Sequence, residues 1–346
     1  MKIAFVGIKR KYQELDGPSY RDTFNKYHLE LPYYYARDGH NDVVITTVDY
    51  ESDVLIFATV EKGRVGSLQC IKEADFQNPG WKYDVVIHWR KWFPEFYVPG
   101  AVNLINCQDH SFSPEWKNDV RTALSKGELT GILCFPTWHK RNLSEETGVP
   151  HERLFDGVTL GVDTQIYAPA ALKDPYSMLW ASDPGRGFVH ALQLAIYLWK
   201  KDRQFRLHVC YPDYVKGEFI PKHPAIINHG CVKNGPELWG LFNSTGILPY
   251  TSTFKEPSSR AHRQAQAAAS MVVYPIGMGS PSELIDNDKT GLIAQNDTAL
   301  WGELILEYVK SGRWATIGDQ ARRMAISENW EVQALRFNKL IERIKE

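Results

Sequence analysis

Short apolar runs alternate with amphipathic stretches along most of the chain. In the first half the apolar runs are "KIAFVGI", "NDVVITTV", "YDVVIHW", "AVNLINC" and "LTGILCF", and polar connections separate them. Runs of this length that are rich in β-branched residues are typical of strands in a parallel sheet covered by helices. "NKYHLELPYYYARDG" has helical spacing and ends at Gly39. The first half is therefore predicted to be an α/β domain.

The same alternation begins again after a connection that contains Pro169 and Pro175. Strands are predicted at "PYSMLWAS", "FRLHVCYP", "GILPYT" and "SMVVYPIG", and helices at "GFVHALQLAIYLWKKD", "GPELWGLFNST" and "SRAHRQAQAAA". This pattern predicts a second doubly wound α/β domain. The predicted division is 1–165 and 166–327, with a last helix over about 328–346 that packs back on the first domain. Because open α/β sheets bind ligands at the carboxyl ends of their strands, a cleft between the domains is the expected site.

Composition narrows the class of protein and of partner. The 346 residues suit two domains, and 40 Lys plus Arg against 41 Asp plus Glu favour neither a basic nor an acidic partner. The five cysteines are odd in number, widely spaced and without a CxxC pair, which argues against a disulfide framework or a zinc site and favours a cytoplasmic protein. No apolar stretch is long enough to span a membrane, so a peripheral contact is the membrane interaction that stays open.

Several common ligand-binding motifs do not occur in the sequence. The first strand continues as "FVGIKRKYQELDG", which supplies Gly7 but not the GxGxxG pattern of a dinucleotide site. A GxxxxGK[ST] phosphate loop, an HExxH zinc motif and a GxSxG nucleophile motif are also missing. Binding of NAD, hydrolysis of NTP by a phosphate loop and the common zinc and serine hydrolase reactions are therefore disfavoured. Neither a metal site nor a resident cofactor is predicted.

Four segments follow one another in the second half: "LFDGVTLGVDTQIYAP", "WASDPGRGFVHALQLA", "STFKEPSSRAHRQAQAAASMVVYP" and "GSPSELIDNDKTGLI". This order resembles the retaining, nucleotide-sugar-dependent glycosyltransferases of family four over roughly residues 130–330, and "ELPYYYARDGHNDVVITT" matches the first domain of that family more loosely. The resemblance implies the GT-B fold, in which two Rossmann-like parallel-sheet domains face a central cleft. It also implies transfer of a sugar from a nucleotide-sugar, most simply a UDP- or GDP-sugar, to a hydroxyl acceptor with retention and without a metal.

The turn "SDPGRGF" and the acid in "FKEPSSR" are the central donor-site candidates. The turn precedes a long helix, so backbone N–H groups, the helix dipole and the planar guanidinium of Arg186 could receive a diphosphate. The ordinary alternative is a helix start with a solvated arginine. In the family that the sequence resembles, the acid that Glu256 matches by position contacts the donor sugar. Gln264 stands where that family has the glutamate that holds the ribose. Glutamine still offers an acceptor and a donor, but it loses the charge-assisted hydrogen bond.

The remaining donor-site candidates are Gly17, Lys255, Ser258, Ser259, Arg260, Gly279 and Glu283. Ser258, Ser259 and Arg260 stand where the family that the sequence resembles presents backbone amides to the sugar and the phosphates. Lys255 and Arg263 would help to stabilise the leaving diphosphate. Gly17 would allow the backbone to approach the diphosphate closely, and a simple turn is its alternative. Glu283 matches a later acid of the family in part, and a carboxylate at a helix N-terminus is its alternative.

The first domain is expected to supply the acceptor site and part of the catalytic machinery. His110 in "NCQDHSF" follows a predicted strand, as the histidine near the donor sugar does in the resembling family. Gln108 aligns equally well with that histidine, and Asp109 with the acid after it. The alternative to a role in the site, for both His110 and His88 in "VVIHWRKW", is that the histidine is structural. The predicted catalytic residues are Glu256, Arg186, His110 and Asp109, and the acceptor-side candidates are His88, Trp89 and Gln108.

The implied mechanism uses no protein nucleophile. The acceptor hydroxyl attacks from the face that the nucleotide diphosphate leaves, so the protein positions the reactants and stabilises charge. A saccharide, a lipid-linked glycan or a small molecule is the expected acceptor. "WKYDVVIHWRKWFPEFY" could stack sugars or nucleic-acid bases, but the balanced charge of the first 150 residues makes modified-base DNA a less favoured acceptor. Two further functions stay open: a GT-B epimerase or phosphorylase, and a nucleotide-sugar-binding protein whose turnover is weakened at Gln264.

Overall fold

The computed structural model describes residues 1–6, 30–37, 39, 41–47, 54–61, 64–72, 75–76, 82–156, 158–170, 173–211, 220–232 and 235–346. Within this part of the chain the residues form two compact units. One unit is Met1–Thr159 together with Trp330–Glu346, and the other is Leu160–Asn329. The sequence-based division places its boundary a few residues later, between 165 and 166.

The first unit is built on a sheet of eight described strands: β1 (Lys2–Val6), β2 (Asp42–Thr47), β3 (Val54–Glu61), β4 (Arg64–Lys72), β5 (Val85–Trp89), β6 (Val102–Asn106), β7 (Gly131–Leu133) and β8 (Leu154–Phe155). Its helices up to this point are α1 (Glu30–Arg37), α2 (Pro114–Ser125) and α3 (Trp138–Thr147). The strand order is β3-β4-β2-β1-β5-β6-β7-β8. Neighbouring strands are parallel, as the buried apolar runs predict, except β3 and β4, which form an antiparallel pair at one edge.

The second unit has six described strands: β9 (Asp174–Ala181), β10 (Arg206–Tyr211), β11 (Ile226–Cys231), β12 (Thr245–Pro249), β13 (Met271–Pro275) and β14 (Leu292–Ala294). Its described helices are α4 (Phe188–Lys201), α5 (Pro236–Ser244), α6 (Arg260–Ala267), α7 (Thr298–Lys310) and α8 (Arg313–Ser327). All strand pairs are parallel, and the order β11-β10-β9-β12-β13-β14 is the 3-2-1-4-5-6 order of a Rossmann-type sheet. The predicted doubly wound α/β class is confirmed.

The last helix, α9 (Trp330–Lys345), packs on α1 within the first unit. The ring of Phe337 stacks on Tyr35 with centroids 4.2 Å apart, and Trp330 stacks on Tyr34 at 5.0 Å. Asn338 Nδ2 donates a hydrogen bond of 2.9 Å to the carbonyl oxygen of Gly39, the residue at which the sequence ends the first helix. Aromatic stacking and this amide contact therefore hold the C-terminal helix α9 against α1 and the residue Gly39 that follows it.

Small residues let α6 pack closely on its neighbours in the second unit. Ala265 and Ala267 are buried, and α6 lies against α8 and β13. A Cβ atom added at Gly318 of α8 would lie 2.2 Å from the carbonyl oxygen of Ala269, so only glycine allows this approach. The alanines of "RQAQAAA" thus serve a helix-to-helix contact as well as the contact with a strand. Among the described residues, no helix is both long and apolar enough to cross a membrane.

Candidate functional site

Strands β9 and β12 lie side by side at the point where the order of the second sheet reverses. Strands that follow β9 directly in the chain lie on one side of it, and β12 begins the other side. Open α/β sheets bind ligands at such a switch point, beyond the carboxyl ends of the strands. The turn Pro184–Arg186 follows β9, and residues 250–259 connect β12 to α6. The predicted residues Arg186 and Glu256 are therefore brought to the same point of the sheet.

Arg186 and Glu256 form an ion pair at this switch point. Nη1 of Arg186 donates to Oε1 of Glu256, and the hydroxyl of Tyr250 donates to the same oxygen at 3.1 Å. The Glu256 side chain is 2% exposed and the Arg186 side chain is 39% exposed. The guanidinium carbon also lies 5.0 Å from the centroid of the Phe254 ring. The carboxylate is thus enclosed, while the guanidinium it holds reaches solvent and can meet an anion.

The charges of this cluster are set by burial and by the ion pair. Burial raises the pKa of Glu256, and the charge of Arg186 and hydrogen bonds from Arg186 and Tyr250 oppose that rise. Burial acts to lower the pKa of Arg186, but the nearby charge of Glu256 outweighs it and the pKa is raised. Burial raises the pKa of Tyr250 to about 12. At neutral pH Arg186 is therefore a cation, and Tyr250 keeps the proton that it donates.

Gly279 fixes the backbone of Glu256. The N–H of Glu256 donates to the carbonyl oxygen of Met278 at 3.1 Å, and the N–H of Ser280 donates to the carbonyl oxygen of Glu256 at 3.0 Å. Gly279 has a φ of +96°, and a Cβ atom there would lie 2.2 Å from the carbonyl oxygen of Glu256. A side chain at this position would push the segment after β13 away from Glu256. The predicted turn at Gly279 therefore contacts Glu256 directly.

Gly187 fixes the turn that carries Arg186. Its φ is +96°, and a Cβ atom there would lie 2.0 Å from the carbonyl oxygen of Thr251. Thr251 Oγ1 donates to the carbonyl oxygen of Gly187 at 2.8 Å. Asp183 accepts a hydrogen bond of 2.8 Å from the N–H of Gly185 within the same turn. The loop after β12 and the start of α4 are thus joined through their backbones, a contact that was not predicted from the sequence.

The side chain of Gln264 is buried on α6, 6% exposed. Its Nε2 donates a hydrogen bond of 2.6 Å to the hydroxyl of Tyr167, which lies in the segment "LFDGVTLGVDTQIYAP" but was not among the candidate site residues. Arg263 is 4% exposed, and Ser259 caps the same helix by accepting from the N–H of His262 at 3.2 Å. Gln264 thus donates to a tyrosine hydroxyl, which an ionised glutamate cannot do. The predicted contact of Gln264 with a ribose stays a prediction.

The remaining donor-site candidates differ in their exposure. Lys255 is exposed beside Glu256, and Glu283 is exposed at the end of the short helical turn Ser280–Glu283. Ser258 and Arg260 are partly buried around the start of α6. Gly17 lies outside the described residues. The contacts at the switch point thus join Arg186, Glu256 and Gly279, while the roles of these further candidates stay predictions.

In the first unit, the loop after β6 carries three of the predicted residues. Arg90 Nη2 donates to Asp109 Oδ1 at 2.6 Å, and both side chains are partly exposed. Gln108 and His110 on either side of Asp109 are also partly buried. Arg90 follows β5, the strand next to β6, and has a φ of +67°. The carboxyl ends of two neighbouring strands therefore bring a guanidinium and a carboxylate together near His110.

Two residues of α3 hold this loop by its backbone. His139 Nδ1 accepts from the N–H of Phe135 at 3.1 Å, so its Nε2 carries the proton and donates to the carbonyl oxygen of Asp109 at 2.7 Å. Asn142 Nδ2 donates to the carbonyl oxygen of His110 at 2.9 Å. Both residues were missed at the level of sequence, although "WHKRN" places a histidine and an asparagine on one helical face, which is a signal that could have indicated them.

His88 and Trp89 lie in the interior of the first sheet. His88 is fully buried in β5, its ring centroid is 4.3 Å from that of Trp92, and burial lowers its pKa to about 3. Trp89 is 7% exposed, and its ring lies 6.5 Å from that of Phe5. These surroundings agree with a structural role for His88 and place both side chains away from solvent.

His139 is expected to make the stability of the first unit depend on pH. Burial lowers its pKa to about 4, whereas a histidine of the unfolded chain titrates near 6.5. Below about pH 6.5 the unfolded chain binds a proton that the folded chain does not, so stability is lost as the pH falls from 6.5 to 4. In His139→Gln this loss is removed, and the difference in free energy of unfolding between wild type and variant should narrow by on the order of 3 kcal/mol over that range.

Urea unfolding of both proteins at a series of pH values between 4 and 8 measures this difference. His151→Gln is the matched control, since His151 is an exposed histidine of the same unit. A constant difference between wild type and His139→Gln over the whole pH range would contradict the prediction.

Within the described residues, no cluster of three or more His, Cys, Asp and Glu side chains could hold a metal ion. No protein-family model matches the chain, and no curated protein matches it in sequence.

Solved structures do match the chain, and glycosyltransferases and a sucrose-phosphate synthase are among them. The Anabaena protein Alr3699/HepE in complex with UDP matches with a TM-score of 0.69 and 13% identity, over 99% of this chain and 100% of that one. Sucrose-phosphate synthase from Thermosynechococcus elongatus matches with a TM-score of 0.65 and 13% identity, over 99% of this chain and 98% of that one. TarM matches with a TM-score of 0.63 and 16% identity, over 76% of this chain and 55% of TarM. The chain therefore spans about half the length of TarM. At these identities the likeness defines the fold, and the chain has the GT-B fold that the sequence resemblance implies.

Proposed function

We propose that this protein is a retaining, metal-independent glycosyltransferase that moves a sugar from a nucleotide-sugar to a hydroxyl acceptor. The observation that carries the proposal is the Arg186 guanidinium, held by buried Glu256 at the switch point of a Rossmann-type sheet. Structural neighbours support it, since Alr3699/HepE was solved with UDP and with UDP-glucose. The donor is a UDP- or GDP-sugar, and the acceptor is a saccharide, a lipid-linked glycan or a small molecule.

The second unit is proposed to bind the donor through its phosphates. The half-exposed guanidinium of Arg186 meets the diphosphate, and the first N–H groups of α4 add the positive end of a helix dipole. As the sugar leaves, charge grows on the diphosphate, and the guanidinium that already contacts the phosphates of the bound donor stabilises that charge. The proton of the acceptor hydroxyl passes to the leaving phosphate oxygen, so neither a protein nucleophile nor a metal is needed.

The remaining predicted residues are proposed to complete the donor and acceptor sites. Glu256 contacts the sugar hydroxyls when Arg186 turns to the phosphates, and Gly279 keeps its backbone in place. The further donor-site residues are Gly17, Lys255, Ser258, Ser259, Arg260, Arg263, Gln264 and Glu283. On the acceptor side the loop with Asp109 and His110 is the preferred place for the reacting hydroxyl, because Arg90, His139 and Asn142 hold it.

A cytoplasmic setting is part of the proposal. Cys107, Cys134, Cys210 and Cys231 are free thiols, and the first three are buried. Free thiols are typical of a reducing compartment.

A nucleotide-sugar-binding protein without turnover is the second candidate. The observation that favours it is Gln264, which donates its amide to Tyr167 at the position where the resembling family has a ribose-binding glutamate. Analysis of products from a labelled nucleotide-sugar separates the two candidates, because only the enzyme releases a transferred or hydrolysed sugar.

A thermal-shift panel of UDP, GDP, ADP, CMP and their sugars tests the proposal. A ligand at 100 times its dissociation constant stabilises the native state by about 2.7 kcal/mol, which raises the midpoint by several degrees. We expect a shift with UDP or GDP and their sugars that is lost in Arg186→Ala, and a product with the anomeric configuration of the donor. An unshifted transition with every nucleotide would overturn the proposal, and an inverted product would overturn retention.

A further inference from the structure

Tyr250 lies directly after β12, beside the proposed donor site, and no sequence motif gives it a role. Its hydroxyl donates to Glu256 Oε1 at 3.1 Å, the oxygen that also accepts from Arg186. We infer that Tyr250 is a positioning residue, which holds Glu256, and through it Arg186, in the geometry that receives the diphosphate of a nucleotide-sugar. This inference rests on the proposed function.

The ring of Tyr250 packs beside aromatic residues of the two strands that neighbour β12. It is 4% exposed, and it stacks on Tyr274 with centroids 5.4 Å apart and an angle of 8° between the planes. Trp180 of the neighbouring strand lies 6.4 Å away at an angle of 20°. A ring packed beside two aromatic residues keeps its hydroxyl in one direction. The donor to Glu256 is therefore held in place before any ligand binds.

The loop between Tyr250 and Glu256 is shaped so that its two ends meet. Thr251 is joined to Gly187, as described above. Ser252 Oγ donates to the carbonyl oxygen of Phe254 at 3.0 Å and accepts from the N–H of Phe254 at 3.1 Å, which turns the chain back. The chain then brings the Glu256 side chain back to the hydroxyl of Tyr250. The hydrogen bond between these side chains thus closes a loop whose backbone also fixes the turn with Arg186.

The hydrogen bond from Tyr250 matters most when Arg186 turns to a ligand. A buried carboxylate is costly to keep ionised unless a donor satisfies it. The groups that face Glu256 from the packed elements are Arg186, Tyr250 and, farther away, Tyr274 of β13. If the guanidinium moves to a diphosphate, Tyr250 is the donor that stays on Oε1. The carboxylate can then keep its charge and its position beside the sugar.

Tyr250→Phe tests this inference, because it removes the hydroxyl and keeps the stacked ring. Binding of UDP, UDP-glucose, GDP and GDP-mannose is measured by calorimetry between pH 5 and 8, together with transfer kinetics. We expect affinity for the nucleotide-sugar that binds wild type to fall about tenfold, since a hydrogen bond to a charged group is lost. The pH below which binding is lost should also rise, because the ionised form of Glu256 has lost a donor. If the role of Tyr250 were purely structural, this acid limit, the pH below which binding is lost, would not change.

Tyr197→Phe is the matched control, because the Tyr197 hydroxyl also donates to a carboxylate, Glu303 Oε1 at 2.6 Å, but on the exposed surface of α4 and α7. It should bind and react like wild type. A double-mutant cycle with Glu256→Gln separates positioning from general destabilisation, since Tyr250→Phe should have a smaller effect once its hydrogen bond is to a neutral amide oxygen and not to a carboxylate.

The possible results distinguish this inference from the proposed function. If wild type binds no nucleotide, the proposed function fails and the inference fails with it. If wild type binds and Tyr250→Phe shows the same affinity and the same acid limit, the inference is overturned and the proposed function stands. An undiminished effect of Tyr250→Phe in the Glu256→Gln background would overturn the inference too.

Discussion

Glu256→Gln is expected to lower kcat/KM for sugar transfer about 100-fold, equivalent to ~2.7 kcal/mol of transition-state stabilisation. Glutamine nearly matches the shape of glutamate, so the enclosed site around a side chain that is 2% exposed should keep its fold. The charge that holds Arg186 is lost, and the guanidinium turns to water instead of waiting for the diphosphate. Loss of one positioned charge partner of a transition state typically costs about 100-fold or more. Steady-state kinetics with the nucleotide-sugar selected by the thermal-shift panel measure the effect.

Asp288→Asn is the matched control for Glu256→Gln. Asp288 pairs with Arg313 Nη2 at 2.7 Å in the same unit, and both side chains are about half exposed. Exposed ion pairs contribute about 0 to 1 kcal/mol, so stability and transfer should change little. The assignment of Glu256 would be wrong if Glu256→Gln kept its kcat/KM within about threefold of wild type, or if Asp288→Asn lost as much.

The hydrophobic pattern predicts best the strands that are buried on both faces. β5 and β6 are each five buried residues in a row, and their sequences, VVIHW and VNLIN, are mostly apolar. β3 and β4 were not predicted. In β4 the apolar positions are interrupted by Gly66, Ser67 and Gln69, which is compatible with an antiparallel pair at a sheet edge but not with a buried run.

The candidate site was predictable where a motif fixes a position and not where a contact depends on the path of a loop. Arg186 and Glu256 hold defined places in the segments that resemble a known family. Tyr250 meets Glu256 only because Gly187 and Gly279 bring backbone segments into contact, and spacing along the chain does not show this. The helical spacing of "WHKRN" could have indicated His139, but its partner Asp109 lies 30 residues earlier in the chain, and the sequence does not show that contact.

Gly279→Ala is expected to destabilise the second unit by about 4 kcal/mol and to abolish donor binding. With φ of +96° and ψ of −165°, Gly279 occupies a region that is essentially restricted to glycine, where strain costs about 1–3 kcal/mol. The new Cβ atom would also lie 2.2 Å from the carbonyl oxygen of Glu256, and relief of such a clash costs about 1–3 kcal/mol more. Because the clash is with the backbone of Glu256, the segment that moves carries the carboxylate that holds Arg186. Urea unfolding measures the stability, and calorimetry with the selected nucleotide-sugar measures the binding.

Gly277→Ala separates backbone strain from the clash at Glu256. Gly277 lies two residues earlier in the same connection, its φ is +73°, and no atom lies within 4 Å of an added Cβ. Its replacement therefore introduces an alanine with a left-handed backbone conformation but no clash, at a cost of about 1–2 kcal/mol. Donor binding should stay unchanged. Equal losses of stability in the two variants would show that the contact of Gly279 with Glu256 does not constrain the site. Hydrogen exchange in β13 and α6 then locates the disturbance, since a clash at Glu256 should increase exchange at the start of α6 only in Gly279→Ala.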